Sequence, residues 1–387
     1  MEQVQSVYIH IPFCLKICHY CAFVKYFYHE KLADEYLIAL EKEMDTKLKG
    51  EKNKVRTIYI GGGTPSALSA EQLHYLLKII SRKFDISACK EFTIEVNPGD
   101  IDDEKTALLK QYGISRISFG VQTMDDQLLE ELGRRHRAKD VYRTVELLQK
   151  YHFTNISLDL MFALPHQTIA KFESTLDEVF RFQLPHYSIY GLQIEPKTLF
   201  YKQHERGVLH RPTEEEEIQM YSLLRNKMEQ HRVKQYEISN FAVPGFESKH
   251  NLTYWSNDYY YGFGAGAHAY YPGKRAVNIH GLREYIKKAM EDGKPIFQTE
   301  TITIKEKLEE EMMLGLRKIA GINKHAFKEK FGFSLESVYS DQIKELTDRG
   351  LLAETENVIR LTDEGLLLAN KVSEYFMLTD TDKLPAG

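Results

Sequence analysis

Cysteine is scarce in this chain, with four residues among 387, and tryptophan occurs once. So few cysteines exclude a small secreted domain held together by disulfide bonds. No charge of one sign dominates, because the chain has 51 Lys and Arg and 56 Asp and Glu. Hydrophobic residues make up 43% of the chain. This is the composition of an ordinary globular protein, and it gives no sign of a nucleic-acid partner.

Long apolar runs are also absent. No window approaches the roughly 18 consecutive apolar residues that a membrane-spanning helix needs, so we expect no integral membrane protein. The N-terminal sequence MEQVQSVYIHIPFC has no basic segment, and His10 and Pro12 interrupt its apolar stretch. A secretory signal peptide has the opposite character. We therefore expect a cytoplasmic protein.

The cysteines that are present are unevenly placed. Cys14, Cys18 and Cys21 fall within eight residues, whereas Cys89 stands alone. Such a group predicts a metal or cluster site in a reducing compartment. Three thiolates on one loop can hold three corners of an iron–sulfur cluster and leave the fourth iron open to a small molecule. The alternatives are a zinc site, for which His19 is an awkward fourth ligand, and three unrelated core cysteines.

Short β-branched or aromatic runs alternate with amphipathic helical patterns in the first half of the chain. The runs occupy 7–13, 57–63, 91–97, 116–121, 155–163 and 186–193, and the helical patterns lie near 31–48, 69–84, 102–112, 125–150 and 168–183. This alternation predicts an α/β fold with parallel strands and right-handed crossovers. No G-x-G-x-x-G turn follows the first run, so we expect a partial (β/α)6 TIM-like barrel rather than a dinucleotide-binding fold.

The alternation of strand-like runs with helical patterns ends at about residue 197. A charged helical segment leads to a strand-like YEISNFA and then to the Gly- and Tyr-rich YYYGFGAGAHAYY; from about 301, three helical patterns precede a possible β-hairpin. We predict a barrel domain over 1–196, a small α+β region over 197–300 and a winged-helix-like unit over 301–387. Because the last unit is rich in Glu and lacks a basic stripe, we do not expect it to bind DNA.

Polar and glycine residues follow the predicted strands, where barrel enzymes carry their chemistry. Gly62, Gly63 and Thr64 follow the second run, and Glu95 ends the third. Glycines expose backbone groups to a ligand, and a carboxylate there can receive ribose hydroxyls or an ammonium group. The alternatives are a plain tight turn and a surface salt bridge.

The spacing C-x3-C-x2-C after the first strand resembles the radical S-adenosylmethionine (SAM) superfamily. The resemblance implies a four-iron–four-sulfur cluster held by Cys14, Cys18 and Cys21, with SAM bound to the open iron through its amino and carboxylate groups. The glycine run would meet the SAM amino group, and Arg134 would pair with the SAM carboxylate. The SAM-contacting positions that the resemblance implies are Tyr8, Tyr20, Gly62, Gly63, Thr64, Glu95, Gln122, Arg134, Asp159 and Gly191.

The segments YIHIPFC, IGGGTPS, RISFGVQT, DLMFALPHQT and LGRRH resemble oxygen-independent coproporphyrinogen III oxidase and its relatives, and the resemblance covers nearly the whole chain. These relatives divide into true oxidases and HemW-type haem chaperones. The oxidase pattern carries a fourth cysteine where this chain has Phe23. It also carries an N-terminal extension of several dozen residues, whereas five residues precede the first predicted strand here. Both differences favour the HemW type.

A second motif favours the same branch. His250-Asn251-x-x-Tyr254-Trp255 is similar to the H-N-x-x-Y-W motif of the HemW type, which is linked there to haem binding. Histidine can serve as an axial ligand of haem iron, and aromatic side chains can cover the macrocycle. Alternatively, His250 caps a loop and Trp255 lies in the core. His268 in GAGAHAYY is a rival ligand.

Two positions depart from the pattern of the relatives. LMFALPHQT carries Ala163 and His166 where relatives often have glycines. Ala163 is small, so we expect little effect there. His166 is another candidate ligand for a metal or haem, although an ordinary loop position explains it more simply.

Three functional hypotheses follow. In the first, the protein is a haem chaperone on a radical SAM scaffold and passes haem to an acceptor protein. Membrane-associated respiratory components are one candidate class of acceptor. In the second, it is a porphyrinogen oxidase, in which a radical generated from SAM abstracts hydrogen from propionate side chains that then lose carbon dioxide. In the third, it is a zinc- or DNA-binding regulator. Phe23 and the H-N-x-x-Y-W motif favour the first, and enzymatic activity is left open.

Overall fold

The computed structural model describes residues 4–49 and 52–379. The chain forms two compact units that alternate along the sequence. The first unit comprises Met1–Lys234, Phe241–His250 and Tyr259–Thr299, and the second comprises Gln235–Asn240, Asn251–Asp258 and Glu300–Gly387. The first unit continues past residue 196, because strands that follow this position join the barrel sheet.

The barrel strands follow the predicted alternation closely. They are Ser6–Ile11 (β1), Thr57–Gly62 (β2), Glu91–Val96 (β3), Arg116–Gln122 (β4), Ile156–Phe162 (β5) and His186–Gly191 (β6). Each pairs in parallel with the next along the chain, so their order in the sheet is the order in the sequence. The predicted partial barrel is thereby confirmed.

The sheet extends beyond the barrel strands on both sides. The additional strands are Lys234–Gln235 (β7), Asn240–Ala242 (β8), Tyr260–Phe263 (β9), His268–Tyr271 (β10), Lys274–Asn278 (β11) and Ile296–Thr301 (β12). The full order is β7-β8-β6-β5-β4-β3-β2-β1-β9-β10-β11-β12. The strand β9 runs parallel to β1, and β10 is antiparallel to both β9 and β11. Two short parallel pairs stand apart, Phe13–Cys14 with Tyr26–Phe27 and Asn53–Lys54 with Phe84–Asp85.

Helices alternate with the strands along the chain. They are Glu30–Leu48, Ala70–Lys83, Asp103–Gln111, Asp126–Glu131, Ala138–Lys150, Ile169–Phe180, Leu199–Glu205, Glu214–Gln230, Lys249–Trp255, Leu282–Asp292, Ile304–Gly315, Lys324–Phe331, Glu336–Asp348, Asp363–Leu367 and Ala369–Glu374. Short 3₁₀ segments occupy Pro65–Ala67 and Ile86–Ala88. No helix in the described ranges has both the length and the apolar character needed to cross a bilayer.

Two predicted elements differ from the structure. The helical pattern over 125–150 is divided into two helices, because Gly133 adopts a left-handed φ of +74° and ends the first of them. The segment YEISNFA predicts one strand, but the structure has two short strands, Lys234–Gln235 before it and Asn240–Ala242 at its end, with an isolated β-bridge at Glu237 between them. The Gln235 side-chain amide donates to the Ile238 carbonyl at 3.0 Å and holds the residues between them in a turn.

Side chains alternate in character along the barrel strands. Apolar residues such as Ile58, Ile60 and Ile94 are fully buried in the main hydrophobic core. The residues between them, among them Tyr59 and Glu95, point to the opposite face, where they contact one another. This period of two places a polar layer inside the barrel.

The second unit has its own core and a small sheet. Ile322–Asn323 (β13), Leu352–Glu354 (β14) and Val358–Leu361 (β15) pair antiparallel in the order β13-β15-β14. Three helices, Ile304–Gly315, Lys324–Phe331 and Glu336–Asp348, precede the hairpin of β14 and β15. This arrangement agrees with the predicted winged-helix-like unit.

Candidate cluster and SAM site

The loop that carries three cysteines begins at the carboxyl end of β1. The Tyr26 N–H donates to the Pro12 carbonyl at 2.6 Å, and the Tyr28 N–H donates to the Cys14 carbonyl at 2.9 Å. These bonds close the loop and hold its two ends together. Cys14 is buried, whereas Cys18 and Cys21 are half-buried. The thiols therefore lie where the carboxyl ends of the barrel strands open.

Side chains from the segments that follow β2 and β4 contact the thiols. The Thr64 hydroxyl donates to Cys14 Sγ at 3.6 Å, and Arg134 Nη1 donates to Cys18 Sγ at 3.4 Å. Asn97 joins the two donors, since its Nδ2 donates to Thr64 Oγ1 at 2.9 Å and its Oδ1 accepts from Arg134 Nη2 at 2.6 Å. Such donors stabilise the negative charge of sulfur ligands.

The three thiols fit a multi-iron cluster better than a single ion. Among the described residues, no group of three or more His, Cys, Asp and Glu side chains is placed to hold one metal ion. A zinc ion would require its sulfur ligands at about 2.3 Å from one common centre. Burial, opposed by the Thr64 hydrogen bond, raises the pKa of Cys14 to about 11. Three cysteines on one loop, two of which accept hydrogen bonds from Thr64 and Arg134, are a ligand set that would suit a cluster with one open corner.

The glycine run makes a cradle beside the cysteine loop. A Cβ atom on Gly62 would lie 2.7 Å from His10 Cε1, and one on Gly63 would lie 2.9 Å from the Phe13 backbone nitrogen. Gly62 also has a φ of +120°, which favours glycine. Glycine is needed here because His10 and Phe13 pack directly against this turn. The Gly62 and Gly63 N–H groups donate to Glu95 Oε2 and the Ile11 carbonyl, and the contact of the turn with SAM stays a prediction.

The substitution Gly63→Ala tests this cradle. The added Cβ has no room against the backbone of Pro12 and Phe13, so we expect a loss of about 1–3 kcal/mol in the free energy of unfolding. Denaturant titration measures this loss, and iron analysis after reconstitution should show a reduced cluster content. An unchanged unfolding midpoint with full iron content would show that the cradle is not close-packed.

Glu95 faces the glycine run from β3. Its Oε2 accepts from the Gly62 N–H at 3.0 Å, and its Oε1 accepts from the Tyr59 hydroxyl at 2.8 Å. Burial, together with the nearby charge of Asp159, raises the pKa of Glu95 to about 7, against the hydrogen bonds from Tyr59 and Gly62. A cationic ligand beside this carboxylate would stabilise its ionised form, and SAM carries both an ammonium and a sulfonium group.

The remaining predicted SAM positions lie in the same barrel but differ in their contacts. The Tyr8 hydroxyl and His10 Nδ1 share a hydrogen bond at 2.9 Å, and Asp159 accepts from the Ser118 hydroxyl at 3.0 Å. Gln122 has a φ of +70° where the pairing of β4 with β5 is irregular. This left-handed conformation is a strained backbone of the kind found at functional sites.

Tyr20 and Gly191 complete the predicted set. Tyr20 packs against an apolar cluster, and burial, with the neighbouring Cys18, raises the pKa of its hydroxyl. Gly191 is the last residue of β6, and a Cβ there would lie 3.1 Å from the Phe162 ring. Tyr20 lies within the cysteine loop and Gly191 at the carboxyl end of β6, and the contact of either residue with SAM stays a prediction.

His250 lies at the opposite end of the barrel from the cysteines. Its Nδ1 shares a hydrogen bond with Thr57 Oγ1 at 2.8 Å, and its ring stacks on Tyr59 with centroids 5.1 Å apart. Its backbone N–H donates to Glu91 Oε1 at 3.0 Å. Thr57 and Glu91 are the first residues of β2 and β3, so His250 occupies the amino end of the barrel.

The imidazole of His250 is neutral and enclosed. Only 1% of the residue is exposed, and burial, assisted by the charge of Arg116, lowers its pKa to about 3. Tyr254 and Trp255 belong to the second unit, where the Arg317 guanidinium lies 4.8 Å from the Trp255 ring centroid. The assignment of these three residues to haem therefore stays a prediction.

The rival histidines lie at the surface. His268 is exposed, and burial of part of its ring, together with His280, lowers its pKa. His166 is exposed beside His210, with ring centroids 5.1 Å apart. Ala163 and His166 have φ values of +58° and +57°, which explains why relatives often carry glycine at these two positions.

Four residues that sequence reasoning did not single out shape the two ends of the barrel. They are Asn97 at the cysteine loop and Thr57, Tyr59 and Glu91 around His250. One signal was available for Tyr59, because it alternates with the apolar Ile58 and Ile60 and so points to the opposite face, into the barrel.

Comparisons with known proteins agree with these features. A family model described as the radical SAM superfamily matches residues 8–179, and one described as the HemN C-terminal domain matches residues 302–368. Among solved structures, coproporphyrinogen III oxidase (HemN) from Escherichia coli has a TM-score of 0.85 at 23% identity, covering 97% of this chain and 90% of that chain. Because the two sequences are 23% identical, this structural similarity is evidence for a shared fold and not for a shared function.

Two relatives resemble the chain over its full length. A protein named heme chaperone HemW from Bacillus subtilis (strain 168) is 49% identical, covering 97% of this chain and 99% of the relative. One of the same name from Lactococcus lactis subsp. lactis (strain IL1403) is 42% identical, covering 98% of this chain and 99% of the relative. The chain belongs to the HemW family of the radical SAM superfamily.

Proposed function

We propose that this protein is a cytoplasmic haem chaperone built on a radical SAM scaffold, which binds haem and transfers it to an acceptor protein. The observation that carries the proposal is the full-length similarity to proteins named heme chaperone HemW. Phe23 supports it: this residue is 70% exposed and stands where the oxidase pattern has a fourth cysteine.

The carboxyl ends of the barrel strands fit two cofactors. Cys14, Cys18 and Cys21 would hold a four-iron–four-sulfur cluster, and the glycine run with Glu95 would receive SAM. When bound, such a pair supplies one-electron chemistry. The protein's own contribution is to orient these groups. Thr64 and Arg134 donate to two of the sulfurs, and Asn97 fixes both donors.

We further propose that the acceptor is a haem protein and that membrane-associated respiratory components are one class of such acceptors. The free state of all four cysteines supports residence in a reducing compartment such as the cytoplasm. Binding of haem by the H-N-x-x-Y-W motif is part of this proposal, with His250 as the axial ligand.

Haem titration tests the proposal directly. The purified protein should develop a saturable Soret band with haem, and His250→Ala should lose most of that band, because an axial ligand is removed. His325→Ala is a suitable control, since this histidine lies exposed in the second unit. If the wild type develops no Soret band, the chaperone proposal is wrong.

A parallel assay addresses the oxidase alternative. Protein with a fully reconstituted cluster is incubated anaerobically with a reductant, SAM and coproporphyrinogen III. We expect no protoporphyrinogen, because the branch-specific residues are those of the chaperone. Formation of that product would replace the chaperone proposal with the oxidase.

A further inference from the structure

Asn97 lies between the two donors that contact the cysteine thiols. It follows β3, and its Nδ2 donates to Thr64 Oγ1 at 2.9 Å while its Oδ1 accepts from Arg134 Nη2 at 2.6 Å. We propose that Asn97 is a positioning residue, which directs the Thr64 hydroxyl and the Arg134 guanidinium onto sulfur ligands of the cluster and thereby raises the reduction potential of the cluster. The inference rests on the proposed function, because the cluster and SAM are part of that proposal.

The orientation of the Asn97 amide follows from the chemistry of its neighbours. A guanidinium has N–H donors and no acceptor, so it can face only the amide oxygen. The amide nitrogen is then turned towards Thr64 and donates to its Oγ1. A carboxylate in place of the amide could accept from Arg134 but could not donate to Thr64. The second contact therefore requires an amide.

The contact with Asn97 determines where the Thr64 hydroxyl hydrogen points. Because Asn97 already supplies a hydrogen to Oγ1, the Thr64 O–H is left to donate elsewhere, and Cys14 Sγ accepts it at 3.6 Å. Thr64 and Cys14 are both buried, so little water competes for this hydrogen bond. With an acceptor at position 97, the hydroxyl would turn towards that acceptor and away from the sulfur.

Arg134 is held by the same amide. Its Nη2 donates to Asn97 and to the Gly120 carbonyl, and its Nη1 donates to Cys18 Sγ at 3.4 Å. The two side chains pack closely over Gly120, where an added Cβ would lie 3.1 Å from Asn97 Oδ1 and 3.2 Å from Arg134 Nη2. With Nη2 bonded on one side, Nη1 is directed towards the cysteine loop.

Both contacts would act on the charge of the cluster. Reduction adds an electron, and hydrogen bonds to the sulfur ligands stabilise the added negative charge, which raises the reduction potential. The two hydrogen bonds end on different sulfur ligands, Cys14 and Cys18, and each donor is bonded to Asn97. We therefore expect Asn97 to influence the cluster although it is not one of its ligands.

Two substitutions test this arrangement through the cluster potential. Thr64→Val removes the hydroxyl that donates to Cys14, so the potential should fall. Asn97→Asp keeps an acceptor for Arg134, but its carboxylate draws the Thr64 hydroxyl away from the sulfur. Thr64→Val added to Asn97→Asp should therefore cause no further fall. Redox titration of the reconstituted cluster without SAM, followed by electron paramagnetic resonance, measures these potentials.

A second measurement uses SAM. Asn97→Ala removes the acceptor that holds Arg134, so we expect SAM to bind about three- to tenfold more weakly, as for the loss of one hydrogen bond. In an Arg134→Ala background the same substitution should not weaken SAM binding further, because no guanidinium remains to be held. Equilibrium dialysis of SAM measures these dissociation constants.

Asn155→Ala is the matched control for both measurements. Asn155 is half-buried, as Asn97 is, but it precedes β5 at the amino end of the barrel. Its side-chain oxygen is buried without a hydrogen-bond partner. The cluster potential and the SAM affinity of this variant should equal those of the wild type.

The results distinguish this inference from the proposed function. The inference is wrong if Thr64→Val leaves the potential unchanged or lowers it equally in both backgrounds, or if Asn97→Ala weakens SAM binding equally with and without Arg134. These results would leave the cluster and the chaperone proposal standing. Where the variants of one measurement take up no cluster, the other measurement decides. A wild type that forms no cluster would overturn the cofactor proposal and the inference together.

Discussion

Substitution of Cys14, Cys18 or Cys21 by alanine should abolish the iron–sulfur cluster. Each thiolate would hold one iron corner, and a cluster with only two protein ligands is not retained. After anaerobic reconstitution the wild type should contain about four iron and four sulfide per chain, and each variant close to none. Iron and sulfide analysis, with the visible absorption of the cluster, measures the difference.

Cys89→Ala is the internal control for this experiment. Cys89 precedes the amino end of β3, and its thiol donates to the Glu91 carbonyl at 3.1 Å. It lies at the barrel end opposite the three other cysteines, so the variant should keep a full cluster. A wild type that takes up one zinc and no sulfide would contradict the cluster and favour a structural metal.

Arg134→Ala should weaken SAM binding by about ten- to a hundredfold. Arg134 is 8% exposed and donates to Cys18 Sγ and Asn97 Oδ1. Its guanidinium would pair with the SAM carboxylate, and a hydrogen bond to a charged group contributes about 1.5–3 kcal/mol. Equilibrium dialysis of SAM against reconstituted protein measures the dissociation constant.

Arg143→Ala provides the comparison for Arg134. Its side chain is 73% exposed and its ion pair with Asp140 is long, at 3.8 Å, so SAM affinity should not change. Equal SAM affinity in Arg134→Ala and the wild type, with the cluster intact in both, would place the SAM carboxylate elsewhere.

The elements that were predicted from the sequence are those whose residue pattern is visible within a short stretch of chain. Strands β1 to β6 show alternating or continuous apolar residues over six or seven positions, and the cysteine loop lies directly after the first strand. Residues at the carboxyl ends of parallel strands meet at one edge of the sheet. For this reason the strand pattern is enough to place Thr64 and Glu95 at the same barrel end as the cysteines. Arg134 lies beyond the helix Asp126–Glu131, and its place there was expected only from the family resemblance.

The surroundings of His250 could not be predicted in this way. Its contacts with Thr57 and Glu91 join residues separated by 193 and 159 positions, and no periodicity links such distant residues. The motif suggests an accessible ligand, whereas its histidine lies in the helix Lys249–Trp255 and is buried against the amino ends of β2 and β3. Sequence patterns specify which face of a strand is polar, but they do not specify which distant loop comes to cover it.

The pairing of β1 also determines the order in which the protein can be completed on the ribosome. One edge of β1 pairs with Thr57–Gly62, but the other pairs with Tyr260–Phe263, nearly 200 residues later. At about 5–20 residues per second, the second edge stays open for about 10–40 seconds. During that interval a strand whose Val7, Ile9 and Ile11 are fully buried in the finished protein exposes unpaired backbone to other chains. The strand that begins the cysteine loop is thus among the last to be secured on both sides.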